Sequence, residues 1–591
     1  MSRSPASRTT RCAALLICAL LPLSARADIE IVIPDVTEPV RNNIHAFLSL
    51  TRYAERDDVT QETISRLQRR IVSETRAALE PLGYYEPEVT YETAQVDKGW
   101  RVTIHVKPGR PVRLSEVSVA AIGPGAQERA ILEVIEAQEL KPGLRLNHGT
   151  YERVKGALLR AAKNDGYLDA HLTRNDLVID RTERRATATI EMDTGKRYSY
   201  GEIKTAQDVI DDSSMRRLLR MQQGDPYTLD SLLRTQYVLD DSQYFSSVNI
   251  ETGTVDRETL TVPVTVTAEP NRRHRFATSL GYGTDTEARG KFTWDNRRVN
   301  RAGHRFKMEL LGSSVIKELS ARYVIPVMDV ALEKLEFTGK LVDEEIGDTE
   351  SERAEVGAGL TQVQGRWQRV LFVRVSNETT IEPDRTRNTA HYIFPGISYS
   401  TLPSYIVGGK VRPYRLYFEL RGSPTTLGSD ASFLQFRFQG ERIFDFAPRW
   451  HLDLRAELGT THLESNRPTA DQILDLPASQ RFFAGGDRSV RGFALNELAP
   501  RDEVTGDTIG GKHMATGTIE VTRDLPRNFG IAAFYDIGNA FNDFKEPGLE
   551  YSAGLGVRYN IAVASFGLDV AQPLSESGRN PRLHLYISTQ F

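Results

Sequence analysis

Three observations predict that this chain is a series of three small α+β domains in tandem, followed by a sixteen-stranded antiparallel transmembrane β-barrel. The first is a repeat: LGYYEPEV (82–89), DGYLDAHL (165–172) and SQYFSSVNI (242–250) place Tyr84, Tyr167 and Tyr244 at intervals of 83 and 77 residues. That period suits compact domains rather than a solenoid. The second is a change of texture near Arg272, beyond which helical stripes give way to alternating segments of nine residues or more. A soluble sandwich buries one face of shorter strands, whereas this length matches a tilted strand that crosses a bilayer. The third is an export signal with no apolar run of 18 residues after it, which leaves a barrel as the way into a membrane.

At 591 residues the chain is too long for a single core. Residues 1–27 read as a secretory signal peptide: Arg3, Arg8 and Arg11 form a basic start, an apolar run follows, and Ala25-Arg26-Ala27 is a small-residue cleavage pattern ahead of Asp28. Cys12 and Cys18, the only cysteines, would leave with it, so disulfides and Cys-ligated metals are not expected. With 75 basic and 79 acidic residues the net charge is −4, and removing the four arginines of the signal takes it to −8. That balance gives no footprint for nucleic acid.

Residues 28–109, 110–195 and 196–271 are read as the three repeats, each a strand, two amphipathic helices and two strands. In the second, Tyr151, Val154, Leu158, Leu159 and Ala162 fall on one helical stripe before Gly166-Tyr167 ends the helix; in the third the stripe is read as Leu229, Leu232, Leu233 and Tyr237. The recurring tyrosines are expected in the cores. This β-α-α-β-β pattern resembles the POTRA domain. Such a unit has no catalytic group to offer, but an open sheet edge can accept a strand from a partner.

Residues 272–591 are read as the barrel, with sixteen strand segments running from 274–284 to 583–591. Trp294, Trp367 and Trp450 fall at segment ends, as interfacial belts require. The one long connection, 463–512, contains RFFAGGDRSVRGF (481–493), in which Gly485-Gly486 permits a sharp turn and Val490-Arg491-Gly492-Phe493 carries an arginine at the tip. An arginine tucked inward wants a carboxylate. The later strand FYDIGN puts Asp536 on one face with Phe534 and Gly538, because side chains alternate at period 2. Glu520 is read on the luminal face as well.

The pairing of VRGF with F-x-D-x-G resembles the outer-membrane insertase superfamily of BamA, TamA and the two-partner secretion transporters. LGYGTDTEARGKFTWDNRRVNRAGHRF (280–306) is similar to the opening hairpin of TamA proteins, and YSAGLGVRYN with FGLDVAQP is similar to the penultimate hairpin of the superfamily. Three POTRA units also point to TamA, since BamA proteins usually carry five and the secretion transporters two. The resemblance implies the outer-membrane part of a translocation and assembly module that inserts or secretes outer-membrane proteins such as autotransporters. It further implies an inner-membrane-anchored, TamB-like partner at the first POTRA unit. No cofactor, metal or catalytic residue is implied.

The barrel seam is the other candidate site. The inward positions of the first strand are Ala277, Ser279, Gly281 and Gly283, which offer little cross-strand contact, and the last strand carries Ile587 and Phe591. With Leu280 and Gly281 opposite them, this is expected to be the weakest ladder and the place where a client strand could pair. GDTIGGK (506–512) has Walker-type spacing, but His513 replaces the magnesium-binding hydroxyl and a strand follows instead of a helix, so it is set aside. A two-partner-secretion-type or passive pore, and an outer-membrane hydrolase with a site on its outer loops, stay open as alternatives.

Overall fold

The computed structural model describes residues 28–54, 60–96, 99–402, 414–465, 471–561 and 564–589; the signal-peptide reading and Phe591 lie outside them. The first repeat is β1 (Asp28–Val32), α1 (Glu38–Phe47), α2 (Ser49–Tyr53), α3 (Gln61–Leu79), β2 (Glu88–Val96) and β3 (Gly99–Lys107). The second is β4 (Arg113–Ile122), α4 (Arg129–Ala137), α5 (His148–Asn164), β5 (His171–Asp180) and β6 (Arg185–Asp193). The third is β7 (Ser199–Ala206), α6 (Asp212–Leu218), α7 (Leu229–Asp241), β8 (Phe245–Thr252) and β9 (Thr261–Pro270). In each sheet the last strand lies in the middle, giving the orders β1-β3-β2, β4-β6-β5 and β7-β9-β8.

Two local features differ from the sequence reading. The first repeat has three helices, because Leu48 takes an extended backbone (φ −68°, ψ 123°) between α1 and α2. The Glu74 carboxylate accepts from Ser49 N at 2.7 Å and Ser49 Oγ at 2.9 Å, giving the new helix start its acceptor. In α7 the buried face is Leu232, Thr235 and Leu239, while Leu233 and Tyr237 are exposed. Apolar spacing alone did not decide which of two adjacent stripes faces the sheet.

The repeat tyrosines serve both cores and joints. Tyr167 is buried in the second core, and the Arg197 guanidinium lies 5.7 Å from its ring; Arg145 of the second repeat lies 5.3 Å from the Tyr84 ring. The glycines before Tyr84 and Tyr167 accept from the next repeat, Gly83 O from Val112 N at 2.8 Å and Gly166 O from Tyr198 N at 2.9 Å. Tyr244 is buried as well, and its hydroxyl donates to Gly303 O at 2.6 Å.

The barrel strands are β10 (His274–Gly283), β11 (Glu287–Asn296), β12 (Arg305–Gly312), β13 (Ile316–Pro326), β14 (Glu333–Ile346) and β15 (Thr349–Gln364). They continue as β16 (Trp367–Ile381), β17 (Arg387–Thr401), β18 (Tyr414–Ser423), β19 (Ser432–Ala447) and β20 (Trp450–Glu464). The last five are β21 (His513–Asp524), β22 (Phe529–Phe541), β23 (Glu550–Ile561), β24 (Ala564–Pro573) and β25 (Arg582–Thr589). All pair antiparallel in sequence order, and β10 closes on β25. On β22 the inward Gly530, Ala532, Phe534, Asp536 and Gly538 are buried, while Phe529, Ile531 and Tyr535 are exposed on the outer face. Among the described residues no helix is long and apolar enough to cross a membrane.

The chain divides into two compact bodies. The first takes in the two leading sheets up to Tyr200 with 224–230 and 255–262; the second holds 201–223, 231–254 and everything from Pro263 onward. Within the second body, short barrel turns hold the third repeat. Asp211 N donates to Arg301 O at 2.9 Å, and Arg220 forks onto Asp329 with Nη1 to Oδ2 at 2.8 Å and Nη2 to Oδ1 at 2.7 Å. Burial pushes the Asp329 carboxyl up, but the Arg220 hydrogen bonds and the amides of Ala331 and Leu332 outweigh this and hold its pKa below the ordinary value.

Arg220→Ala is expected to cost about 1.5–3 kcal/mol, the range for a hydrogen bond to a charged group. It should appear as faster amide exchange across 212–241 with the barrel strands still protected. The contribution of the pair should be fully present above the unfolded carboxylate pKa, about 3.9, and disappear as pH falls through the lower folded value. Unchanged exchange in Arg220→Ala would count against this contact as the tether.

Candidate functional site

The connection between β20 and β21 turns into the barrel and crosses its interior. Its described part, 471–512, starts against the β16–β19 wall, where Ile473 and Leu476 pack with Tyr392, Phe394 and Phe433. Glu378 of β16 accepts from Ser479 N at 2.9 Å, and Gln435 Nε2 of β19 donates to Gln480 O at 2.8 Å. The buried Arg481 joins the two legs of the loop, donating to Leu476 O at 2.9 Å and Ile509 O at 3.2 Å. Backbone pairs Phe482 with Gly511 and Ala484 with Leu498 continue the connection toward the tip.

At the tip Gly485 and Gly486 take φ of +100° and +95°, a region that excludes residues with a side chain unless strained. The turn lets Val490 and Phe493 bury against Ala484 and Leu498, forming a small apolar core within the loop. Arg491 is thereby directed the other way, into the wall. Its Nε and Nη2 fork onto Asp536 at 2.9 and 2.8 Å, and its own backbone N–H donates to Asp536 at 3.2 Å. Nη1 reaches Glu520 at 2.8 Å and Asp569 at 3.2 Å. The guanidinium also lies on the Phe534 ring, 3.2 Å from its centre.

The surroundings are built to this pair. Thr518 Oγ1 donates to Asp536 at 2.9 Å, and Arg558 bridges Glu520 and Asp569, so the excess of carboxylate is met by a second guanidinium. A Cβ on Gly492 would stand 2.7 Å from Ser552 Cβ and 3.0 Å from Pro573 Cα, which is why glycine follows the arginine. Gly492 N donates to Ser552 Oγ at 3.1 Å. Gly538 meets β21 in the same way, since a Cβ there would lie 2.6 Å from Ala515 O. All seven predicted residues are buried: Arg491, Asp536 and Phe534 are in direct contact with Gly492 beside them, while Val490 and Phe493 lie in the loop's own core and Gly538 packs on β21.

The seam is the shortest ladder of the barrel among the described residues. β10 and β25 share two residue pairs, Tyr282↔Ile587 and Gly283↔Tyr586, against ten in β10–β11 and eight in β24–β25. Thr284 N adds one bond, to Leu585 O at 3.1 Å. Among the described residues, β25 is paired with β24 as far as Thr589, while its pairing with β10 is described for Tyr282 and Gly283 alone. Leu280 is 75 % exposed.

Sequence reasoning did not find that the loop tip touches both sides of this seam. His584 of β25 donates from Nε2 to Arg491 O at 2.7 Å, and Asp285, in the turn after β10, accepts from Asp487 N at 2.7 Å. Both side chains are almost fully buried. Asp569 was missed as a partner, although its inward position opposite His584 in the β24–β25 register follows from strand alternation. Among the described residues no group of three or more His, Cys, Asp or Glu could hold a metal.

Arg491→Ala removes the cation from a buried site and leaves Asp536 without its guanidinium, while Glu520 and Asp569 keep Arg558. The expected loss is about 3–5 kcal/mol, the cost of breaking a buried ion pair from one side. The barrel should still show heat-modifiable mobility, while the loop becomes open to protease in 485–493. Arg491→Lys should restore little, because an ammonium cannot fork onto Asp536 and reach Glu520 at once. A protease-resistant loop in Arg491→Ala would refute the clamp.

Comparison with known proteins then gives three family matches. Residues 393–591 match the Omp85 superfamily domain, 30–108 the POTRA domain described as TamA domain 1, and 198–271 the POTRA model described as surface antigen variable number repeat. The outer membrane protein assembly factor BamA of Nitratidesulfovibrio vulgaris is 24 % identical over 393 residues, covering 63 % of this chain and 48 % of the relative, so the chain spans about half of that protein's length. BamA of Neorickettsia risticii is 21 % identical over 525 residues, covering 84 % of this chain and 68 % of the relative. Among solved structures, BamA from Haemophilus ducreyi lacking POTRA domains 1–3 superposes with a TM-score of 0.63 at 14 % identity. It covers 81 % of this chain and 99 % of that one, a likeness of fold.

Proposed function

Since this chain is an Omp85-superfamily membrane protein with POTRA domains and a sixteen-stranded barrel, we propose that it is the outer-membrane component of a TamA-type translocation and assembly module. Its barrel lies in the outer membrane with the POTRA domains in the periplasm. In this reading it inserts or secretes outer-membrane proteins such as autotransporters, and the first POTRA unit, 28–109, docks a TamB-like protein anchored in the inner membrane. The match of 30–108 to the first TamA POTRA model favours this branch.

The observation that carries the mechanism is the two-pair closure between β10 and β25. A barrel in lipid must satisfy its backbone groups internally, and a strand edge left open within it is a template for another strand. An extended client segment adds to β10 by augmentation, with main-chain hydrogen bonds supplying affinity whatever the side chains. VRGF, held by Asp536, keeps the loop seated beside that edge.

Two experiments test the proposal. Both cysteines of the chain fall within 1–27, so a Tyr282→Cys, Ile587→Cys protein carries no competing thiol after export. Oxidation is expected to lock the seam and stop client insertion until reductant is added; full activity in the locked form would remove lateral opening from the mechanism. Deletion of 28–109 should abolish client assembly in cells while the heat-modifiable barrel still forms. Assembly at the full rate would make that unit a spacer.

A further inference from the structure

Beside the base of the inward loop, the β16–β19 wall gathers three arginines with few acceptors between them. Arg421 of β18 stands opposite Gln435 of β19, and Glu419 opposite Arg437, in the β18–β19 register. Arg421 donates to Gln435 Oε1 from Nε at 3.1 Å and again from Nη2, and Arg437 Nε donates to the same oxygen at 3.1 Å. Three donors thus end on one neutral amide oxygen, which has two lone pairs to offer. Gln435 is held in that orientation by its amide nitrogen, which donates to Thr461 Oγ1 at 2.9 Å and to Gln480 O at 2.8 Å. Among the described residues the Arg374 guanidinium of β16 makes no hydrogen bond, and neither do the Nη groups of Arg437.

Carboxylates do not make up the difference. Glu419 lies 3.4 Å from Arg421 and 3.9 Å from Arg374, and its hydrogen bond comes from the Tyr417 hydroxyl. Glu457 of β20 accepts from Gln439 at 2.9 Å. With both counted, three cations face two carboxylates, and the side chains of Arg421 and Glu419 are 8 % and 5 % exposed, so water screens the excess poorly. We infer that Arg421 and Arg437, with Arg374 at the edge, hold a small inorganic anion of the chloride type. Two guanidiniums that share one oxygen stand close together, which suits a monatomic anion that accepts N–H bonds from any direction. The site bears on the loop. The Arg437 guanidinium lies 5.0 Å from the centre of the Phe482 ring, and Gly459 gives that ring its room, because a Cβ there would meet it. By offsetting the repulsion between the arginines, the anion keeps Gln435 aimed at Gln480 and Phe482 on Arg437, and so fixes the base of the connection.

The test uses the full-length protein in lipid nanodiscs, treated with protease in sodium chloride, bromide or gluconate at one ionic strength, so that screening is the same in each. With halide at about ten times its dissociation constant, opening of the loop base is suppressed about tenfold. Cleavage within 471–482 is therefore expected to run about tenfold faster in gluconate, with bromide as protective as chloride. The double variant Arg421→Gln, Arg437→Gln, checked for heat-modifiable mobility, should be cleaved at one rate in all three salts. Crystals of the wild type grown in bromide should show the ion, by anomalous scattering, within hydrogen-bond distance of Arg421 and Arg437. Equal cleavage of the wild type in the three salts overturns the hold on the loop, and bromide absent from the two arginines overturns the site. Halide protection that survives in the double variant overturns the assignment to these residues.

Discussion

One buried guanidinium sets the terms for the rest of the barrel. Arg491 is 2 % exposed and Asp536 not at all, so neither charge keeps its water, and each must be repaid by direct bonds. The partners come from separate strands, Glu520 on β21, Asp536 on β22 and Asp569 on β24, and they converge only if three ladders hold their registers. A slip of one residue in any of them would turn its carboxylate outward into lipid. The same demand accounts for the small residues around the arginine. Gly492 sits against Ser552 and Pro573, and Gly554 lies beneath the Phe534 ring, so loop and wall approach more closely than ordinary side chains permit.

The loop is held at both ends, which makes it a strut and not a flap. Its base is fixed by Glu378 and Gln435 on one wall, and its tip by the carboxylates on the other. Because His584 and Asp285 belong to the two sides of the seam, the tip also ties β25 to the turn after β10, where the backbone ladder itself contributes two pairs. Among the described residues, closure of this barrel is thus shared between a short ladder and the loop. Loss of the Arg491 clamp and loosening of the seam are coupled through His584, whose bond goes to the backbone of the arginine itself.

Alternation at period 2 made the sixteen strands and the Arg491–Asp536 pair legible, since one inward carboxylate near one loop arginine leaves few other arrangements. It could not show which further strands the arginine reaches. Asp569, His584 and Asp285 are distant in sequence, and only the closed barrel sets them side by side. In α7, Leu232 and Leu233 are both apolar, and the choice of the former for the core depends on how the helix lies on its sheet. The repeat tyrosines were legible as core residues. Their second role at the joints was not, because Arg145, Arg197 and Gly303 lie in the next unit along the chain.

The parting of β10 from β25 has a cost that the fold confines to one place. Backbone donors and acceptors left open in hydrocarbon cost several kcal/mol each, so a barrel tolerates such an edge only where something else satisfies it. Here the described pairing of β10 with β25 ends at Tyr282, and a Cβ added to the next residue, Gly281, would stand 3.1 Å from Ile587 O. Inward β10 meets the polar cavity lined by Arg275 and Lys291. Outward it presents Phe276 and Leu280, both strongly exposed, to the acyl chains. One face is thus dressed for lipid and the other for a polar interior.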